Sequence, residues 1–249
     1  PLENADAGII ITASHNPRNW NALKLLNRKG EFINAEDGEK LLRIANSNPS
    51  EYETKNLGKV EFKNEYINTH TDMIINLPLV DADLIRSKNF KIVVDAVNST
   101  GGIAVPNLLK KLGVKVIKLY CEPNGEFPHN PEPLKENLTD LSELVIKEQA
   151  DFGIVVDPDV DRLAFVSENG EVFGEEYTLV ACADYFLKNK PGVTVSNLSS
   201  SRALKDITES YGCEYFSSAV GEVNVVEKMK EKKAVIGGEG NGGIILPDI

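Results

Sequence analysis

The sequence predicts an α/β protein built from consecutive domains with parallel or mixed sheets. From Lys91 onward, apolar runs of strand length alternate with stretches of helical spacing. A second block of the same kind opens near Gly174, and the two blocks meet at a loop that sets three aspartates at alternate positions. At 249 residues, 41% hydrophobic and 26% charged, the chain can bury a sizeable core and, by length alone, form one to two domains.

Each element follows from local pattern. Ala7 to Thr12 reads as a buried strand, and Ala13 to Asn21 as a loop rich in Asn that carries Pro17 and the only Trp. Lys24 to Leu26 resumes an extended pattern, and Gly38 to Ala45 has helical spacing. The polar, turn-rich stretch from Asn46 to Lys63 is the best candidate for a linker. Tyr66 to Asn76 is helical in spacing. The first αβ block then runs through strand Lys91 to Ala96, helix Ile103 to Leu112, strand Lys115 to Leu119, helix Thr139 to Gln149 and strand Phe152 to Val156. The turn Asn98 to Gly102 between the first two lacks both G-x-G-x-x-G and a P-loop lysine, so it reads as structural. Leu163 to Val166 is a further β-type run. The second block continues with helix Glu175 to Lys188, strand Val193 to Ser196, helix Ser201 to Tyr211, strand Glu214 to Ser217, helix Val223 to Lys230 and strand Ala234 to Gly237. Ile244 to Leu246 reads as one more strand.

Charge and cysteine usage exclude several classes. A formal net charge of −11 argues against sequence-independent binding to nucleic acid or to an anionic membrane. Cys121, Cys182 and Cys213 are isolated and odd in number, so neither a disulfide framework nor a zinc knuckle is indicated. A reducing, cytoplasmic setting is expected. No run has the apolar length of a membrane span, and the N-terminus shows no signal-peptide pattern. A first residue other than Met, almost directly before a strand, leads us to expect a fragment.

Chemistry concentrates in four segments. Asp157, Asp159 and Asp161 lie between two hydrophobic runs, and two carboxylates within about 4 Å repel by roughly 1 kcal/mol in water and about 4 kcal/mol at the effective dielectric of a protein surface. A cation removes that penalty, and carboxylates without nearby His or Cys suit a hard ion such as Mg²⁺ or Ca²⁺. An EF-hand would place Asp157, Asp159, Asp161 and Glu168 correctly, but Arg162 stands where that loop requires Gly, and the flanks are β-type. A Mg²⁺ site with positions open to a phosphate oxygen fits better. A solvated acidic turn is the plain alternative.

Ser14 lies just past a strand end, where α/β proteins place reactive groups. G-x-S-x-G is absent, and the adjacent His15 would not normally reach its neighbour's hydroxyl as a base. If Ser14 is a nucleophile rather than an ordinary turn or cap residue, phosphoryl chemistry beside a metal is the more economical role, and Lys24, otherwise a surface lysine, is near enough in sequence to carry a proton or a further positive charge. The segment Gly238 to Gly243 matches G-x-G-x-x-G formally, yet a strand rather than a helix follows, and Glu239 would repel a pyrophosphate. Glu239 and Asn241 suit sugar hydroxyls instead, since Glu accepts and Asn both donates and accepts, with a plain tight turn as the alternative. Gly221 opens a helix at a point of close approach, where simple capping is the alternative.

Taken in order, Thr12-Ala13-Ser14-His15-Asn16-Pro17, Asp157-Pro158-Asp159-Val160-Asp161-Arg162, Val220-Gly221-Glu222-Val223 and Gly238-Glu239-Gly240-Asn241-Gly242-Gly243 resemble the α-D-phosphohexomutase family. That family includes phosphoglucomutases, phosphomannomutases and phosphoglucosamine mutases. The resemblance spans Gly8 to Leu246 and implies consecutive mixed α/β sandwich domains: 1–56, the later part of a first domain, with the phosphoserine loop, 57–170 with the metal loop, and 171–249, a third domain expected to be truncated, with the sugar loop. It implies Ser14, His15, Lys24 and Arg162 as catalytic residues, and Glu239, Asn241 and Gly221 as substrate-binding residues. Mg²⁺ would be held by Asp157, Asp159, Asp161 and a phosphorylated Ser14. The reaction implied moves a phosphoryl group between the 1 and 6 positions of a hexose or hexosamine phosphate through a bisphosphate, and the form of the Gly238 to Gly243 loop is most like that of phosphoglucosamine mutases or phosphomannomutases. Such enzymes usually have four domains, and nothing here resembles the Arg-Ser-Gly-Thr-Glu-Pro-like loop of the last, so a chain of this extent is expected to be inactive alone. Gly243 stands where some relatives have a His thought to serve in acid/base chemistry, and that role is unassigned. A non-catalytic metal- or carbohydrate-binding module and a hydrolytic phosphatase are the alternatives.

Overall fold

The computed structural model describes residues 2–47 and 58–247, in two compact units. Residues 48–57, the middle of the expected linker, lie outside the described residues. The smaller unit takes in Pro1–Thr12 and Asn21–Tyr66, and the larger takes in Ala13–Trp20 and Ile67–Ile249.

In the smaller unit, strand β1 (Gly8–Thr12) pairs antiparallel with β2 (Ala22–Leu26), in a register running from Gly8 opposite Leu26 to Thr12 opposite Ala22. Helix α1 (Ala35–Ala45) begins where the Asn34 side chain accepts from the Asp37 N–H at 2.9 Å, and Glu36 and Asp37 complement the helix dipole. The expectation that the first strand is buried is corrected. Ile9 is 63% and Ile11 71% exposed, because a two-stranded sheet on its own has no second layer to cover it.

The larger unit holds two four-stranded sheets of the same plan. Helices α2 (Tyr66–Ile75) and α3 (Ala82–Lys88) precede β3 (Lys91–Asp95), α4 (Gly101–Lys111), β4 (Lys115–Leu119), α5 (Thr139–Glu148), β5 (Phe152–Val156) and β6 (Leu163–Ser167). Next come α6 (Glu175–Asn189), β7 (Thr194–Asn197), α7 (Ala203–Ser210), β8 (Tyr215–Ser218), α8 (Glu222–Lys232), β9 (Ile236–Gly238) and β10 (Ile244–Ile245). The first sheet has order β4-β3-β5-β6, with β3 parallel to both neighbours and β6 antiparallel on the edge. The second has order β8-β7-β9-β10, with β7 parallel to both neighbours and β10 antiparallel on the edge. In each, the loop that holds the candidate site residues joins the last parallel strand to its antiparallel edge partner.

Both faces of each sheet are covered, which is why the central strands read as continuous apolar runs. Ile92 and Val94 pack one way with Leu109 and Leu112 of the α4 layer, while Val93 packs the other way with Leu141 and Val145 of α5. Val93 and Val94 are wholly buried, and each such side chain contributes about 1.5–3 kcal/mol. In the second sheet Ile236 packs with Leu179 and Leu204 on one face, and Val195 with Val225 and Met229 on the other.

Helix α3 is absent from the sequence reading. Its start is marked by Asp81, whose Oδ1 accepts from the Leu84 N–H at 2.8 Å, and its seven residues are too few to show a periodicity. The turn Asn98 to Gly102 spends its hydroxyls on the aspartate loop: Ser99 Oγ and Thr100 Oγ1 both donate to the Pro158 carbonyl, at 2.8 and 2.6 Å.

Gly102, in the first turn of α4, faces the backbone just after β4. A Cβ there would stand 2.3 Å from the Cys121 carbonyl oxygen, a backbone atom that cannot step aside. Gly102→Ala should therefore lose about 1–3 kcal/mol in urea unfolding, although Ala in a helix is ordinarily worth about 1 kcal/mol more than Gly. A stabilised variant would contradict this packing.

Candidate active site

Strand β5 delivers Asp157 at its end with no exposed surface. The Asp157 Oδ1 accepts from the N–H groups of Asp161 and Arg162, both at 3.1 Å, and its carbonyl accepts from Val160 at 3.2 Å. The side chain thus holds its own turn closed, against a φ of 66° at Val160 that costs a β-branched residue about 1–3 kcal/mol. Closing the turn gathers charge: one oxygen each from Asp157, Asp159 and Asp161 lie within 4.8 Å of one another. Asp157 Oδ2 is buried and meets no hydrogen-bond donor among the described residues. Burial, reinforced by the charges of Asp161 and Asp159 and opposed by the Arg162 N–H, pushes the Asp157 carboxyl up to about 8. A buried acceptor lacking a donor, beside two further carboxylates, is the oxygen-only donor set that a hard divalent cation takes.

The Ser14 loop packs with the larger unit. Asn16 closes it, its main-chain and side-chain N–H groups both donating to the Ala13 carbonyl at 3.0 Å. Ser14 has a φ of 51°, and this left-handed backbone turns the next residue back on it. His15 Nδ1 lies 3.1 Å from Ser14 Oγ, so the expectation that His15 would not reach its neighbour's hydroxyl as a base is corrected as to reach. The other nitrogen, Nε2, lies 3.4 Å from Arg162 Nη2. A guanidinium can only donate, so Nε2 accepts and Nδ1 carries the proton that is donated to Ser14 Oγ. Burial and then Arg162 hold the His15 pKa below its usual value, against the opposing charges of Glu132, Asp161 and Asp159. His15 is thus a neutral donor to Ser14 rather than its base. Arg162 is fixed from the other side, Nη1 donating to Glu132 Oε1 at 2.9 Å. Lys24 lies on β2 in the smaller unit, its Nζ 5.8 Å from the Phe32 ring centre.

The glycine loop after β9 is tied down at several points. Glu239 Oε1 accepts from Asn197 Nδ2 at 2.5 Å and from the Gly221 N–H at 3.1 Å, while Oε2 accepts from Asn241 Nδ2 at 3.3 Å. Gly221 therefore supports Glu239 through its backbone. Asn197 is fixed in turn, its Oδ1 accepting from the hydroxyls of Ser199 and Ser200 at 3.0 and 2.8 Å. Gly242 joins this loop to the aspartate loop's exit strand, its carbonyl accepting from the Leu163 N–H at 3.2 Å. Only glycine fits there: φ is 93°, and a Cβ would stand 2.5 Å from the Leu163 carbonyl.

A cavity of about 160 Å³ is lined by Glu132, Arg162, Glu175, Ser199, Gly240 and Asn241, among others. Of the expected residues, Arg162 and Asn241 line it. Glu132, Asn197 and Ser199 were missed by the sequence reading. Asn197 had a usable signal, its place at the end of a parallel strand. Glu132, in a loop of scattered prolines, had none.

Comparison with known proteins places the chain. Residues 2–52, 64–170 and 174–249 match family models described as phosphoglucomutase/phosphomannomutase, alpha/beta/alpha domains I, II and III respectively. A phosphoglucomutase/phosphomannomutase of Thermococcus kodakarensis is 36% identical over 98% of this chain and 54% of its own length. A probable phosphoglucosamine mutase of Methanopyrus kandleri is 34% identical over 99% of this chain and 54% of its own length. The chain spans about half the length of the curated relatives it matches. Among solved structures, a phosphoglucomutase/phosphomannomutase family protein of Burkholderia thailandensis superposes with a TM-score of 0.80 at 26% identity, over 98% of this chain and 52% of that one. A phosphomannomutase-like protein of Thermus thermophilus shares the fold with a TM-score of 0.87 at 24% identity, over 99% of this chain and 56% of that one.

The strained carboxylate has a measurable signature. With Asp157 raised from 3.8 to about 8, the folded chain binds more protons than the unfolded one across that interval, so in the absence of divalent cations stability should fall as pH rises through it. Asp157→Asn removes the charge and should flatten the profile, leaving the variant about 1–3 kcal/mol more stable than wild type at pH 8 in thermal melts. Parallel profiles for the two proteins would contradict the burial of this charge.

Proposed function

Because this chain belongs to the phosphoglucomutase/phosphomannomutase family, we propose that it supplies the phosphoserine, metal and sugar loops of an intramolecular phosphotransferase acting on hexose or hexosamine phosphates. The observation that carries the reading is the meeting of Ser14-His15 with Arg162, directly beside the aspartate cluster.

In the reaction, a sugar hydroxyl attacks the phosphorus of phosphorylated Ser14; the P–Oγ bond breaks, Ser14 regains a proton, and a hexose 1,6-bisphosphate results. The bisphosphate reorients and returns its other phosphoryl group to Ser14 Oγ. His15 Nδ1–H donates toward the Ser14 side chain, and Arg162, braced by Glu132, offers its guanidinium to the transferring group. Glu239 and Asn241 take the sugar hydroxyls, with Gly221 holding Glu239 in place. Lys24 assists proton transfer. Asp157, Asp159 and Asp161, with an oxygen of phosphorylated Ser14, would hold Mg²⁺, which when bound neutralises charge on the transferring group. Three free thiols suit a reducing, cytoplasmic setting. Relatives named phosphoglucosamine mutase and phosphoglucomutase/phosphomannomutase support a hexose or hexosamine phosphate as substrate, with glucosamine or mannose phosphate the first candidates.

The test uses the full-length protein that carries this sequence. Intact-mass analysis should find a single phosphoryl adduct mapping to Ser14, and Ser14→Ala should lower interconversion of glucosamine, mannose or glucose 1- and 6-phosphates by about 10³-fold or more. Chelation of divalent cations should stop turnover and Mg²⁺ should restore it. Undiminished turnover by Ser14→Ala would overturn the proposal, and metal and sugar binding without any turnover would favour a non-catalytic module.

A further inference from the structure

His129 has no part in the chemistry above, yet its surroundings are unusual for a loop residue. The segment between β4 and α5 contains Pro123, Pro128, Pro131 and Pro133, with a single 3₁₀ turn at Lys135–Asn137. Halfway along it, His129 turns inward, and its side chain keeps only 15% of its surface exposed. Nε2 lies 3.0 Å from Asp95 Oδ2 and Nδ1 lies 2.8 Å from the Asn130 carbonyl. Asp95 ends β3, is 1% exposed, and uses its other oxygen to accept from the Val97 N–H at 2.9 Å. Both ring nitrogens therefore face atoms that only accept. A neutral imidazole has one N–H and can satisfy one of them; the imidazolium satisfies both.

The charges around the ring favour the same state. Burial opposes the positive charge, but the bond to Asp95, its negative charge, the Asn130 carbonyl and the more distant Asp140 outweigh it, and the His129 pKa stands above its usual 6.5. The groups facing the ring are Asp95 from β3, the edge-on Tyr120 ring at 5.8 Å, and Asp140 of α5, which accepts the Tyr120 hydroxyl at 2.5 Å.

From His129 an unbroken chain of contacts leads to the reaction centre. Asn130, whose carbonyl faces His129, uses its side-chain Oδ1 to accept from the Glu132 N–H at 3.2 Å. The Glu132 carbonyl is held by Asn137 Nδ2 at 2.8 Å. The Glu132 carboxylate in turn receives Arg162 Nη1 at 2.9 Å, and Arg162 Nη2 faces His15. Prolines on both sides of Glu132 restrict the backbone between the anchor and the carboxylate.

We propose that His129, held as an imidazolium between Asp95 and the Asn130 carbonyl, is a positioning residue that sets Glu132 and thereby aims the Arg162 guanidinium. The tether is complete below the unfolded pKa of about 6.5 and loses one of its two hydrogen bonds as pH rises through the higher folded value. The reaction that Arg162 serves is the one proposed above, but the tether itself stands on the hydrogen bonds alone.

The experiment follows ¹⁵N-labelled histidine and arginine side chains by NMR across a pH series of the whole chain. Both His129 ring nitrogens should remain protonated at pH 6.5, with a midpoint above it, and the Arg162 Nε signal should shift with that same midpoint. In His129→Gln, which keeps one donor but does not titrate in this range, that Arg162 transition should vanish. In the full-length protein the same variant should lose about tenfold in kcat with little change in KM, and its pH profile should lose the corresponding limb. A His129 midpoint at or below 6.5, or an Arg162 transition that persists in His129→Gln, would overturn the proposal; should the variant not fold, the wild-type midpoints decide. A full-length protein with no mutase turnover would overturn the proposed function instead, and the NMR midpoints would still test the tether.

Discussion

The site rests on one buried carboxylate. Asp157 has no exposed surface, one oxygen committed to the N–H groups of Asp161 and Arg162, and the other facing no donor among the described residues. The first oxygen fixes the turn that brings Asp159 and Asp161 alongside and sets the backbone of Arg162. The second leaves an electrostatic debt that a hard cation can clear. Without Asp157 the turn would have to open, since Val160 holds a backbone angle it would not adopt unaided.

The same device recurs through the chain. The Ser14 loop leaves β1 and returns along antiparallel β2, the aspartate loop leaves β5 and returns along β6, and the glycine loop leaves β9 and returns along β10. A hairpin exit of this kind places polar side chains at a strand end while the flanking strands remain fixed by their ladders. In the larger unit the two loops are also joined directly, through Gly242 and Leu163, and both sheets use the strand-end position for the carboxylate or amide that organises the loop: Asp157 after β5, Asn197 in β7. Local rigidity of this sort would serve the phosphoryl transfer proposed above, because positioning and electrostatics supply most of the catalysis of such reactions.

Much of this was legible in the sequence, for identifiable reasons. The strands of both larger sheets are covered on two faces, so they read as unbroken apolar runs, and the three aspartates stood out because they alternate between two such runs. What was hidden depends on backbone geometry or on distant partners. His15 meets Ser14 only because Ser14 takes a left-handed backbone, and Gly221 acts through its N–H on a carboxylate eighteen positions away in sequence. Glu132 and His129 lie in a segment with almost no regular structure, where no period marks a residue as inward-facing. The buried reading of Ile9 and Ile11 failed because apolarity records what a strand can bury, while exposure depends on the layer that covers it.

The central claim is that the carboxylates after β5 hold a cation whose coordination is completed from Ser14. The most direct measurement is the ³¹P NMR signal of the Ser14-phosphorylated full-length protein as Mn²⁺, a paramagnetic substitute for Mg²⁺, is added below stoichiometry. The phosphoserine resonance should broaden beyond detection, and Asp157→Asn should leave it sharp. A resonance that stays sharp in the wild-type protein while Mn²⁺ is demonstrably bound would contradict the account.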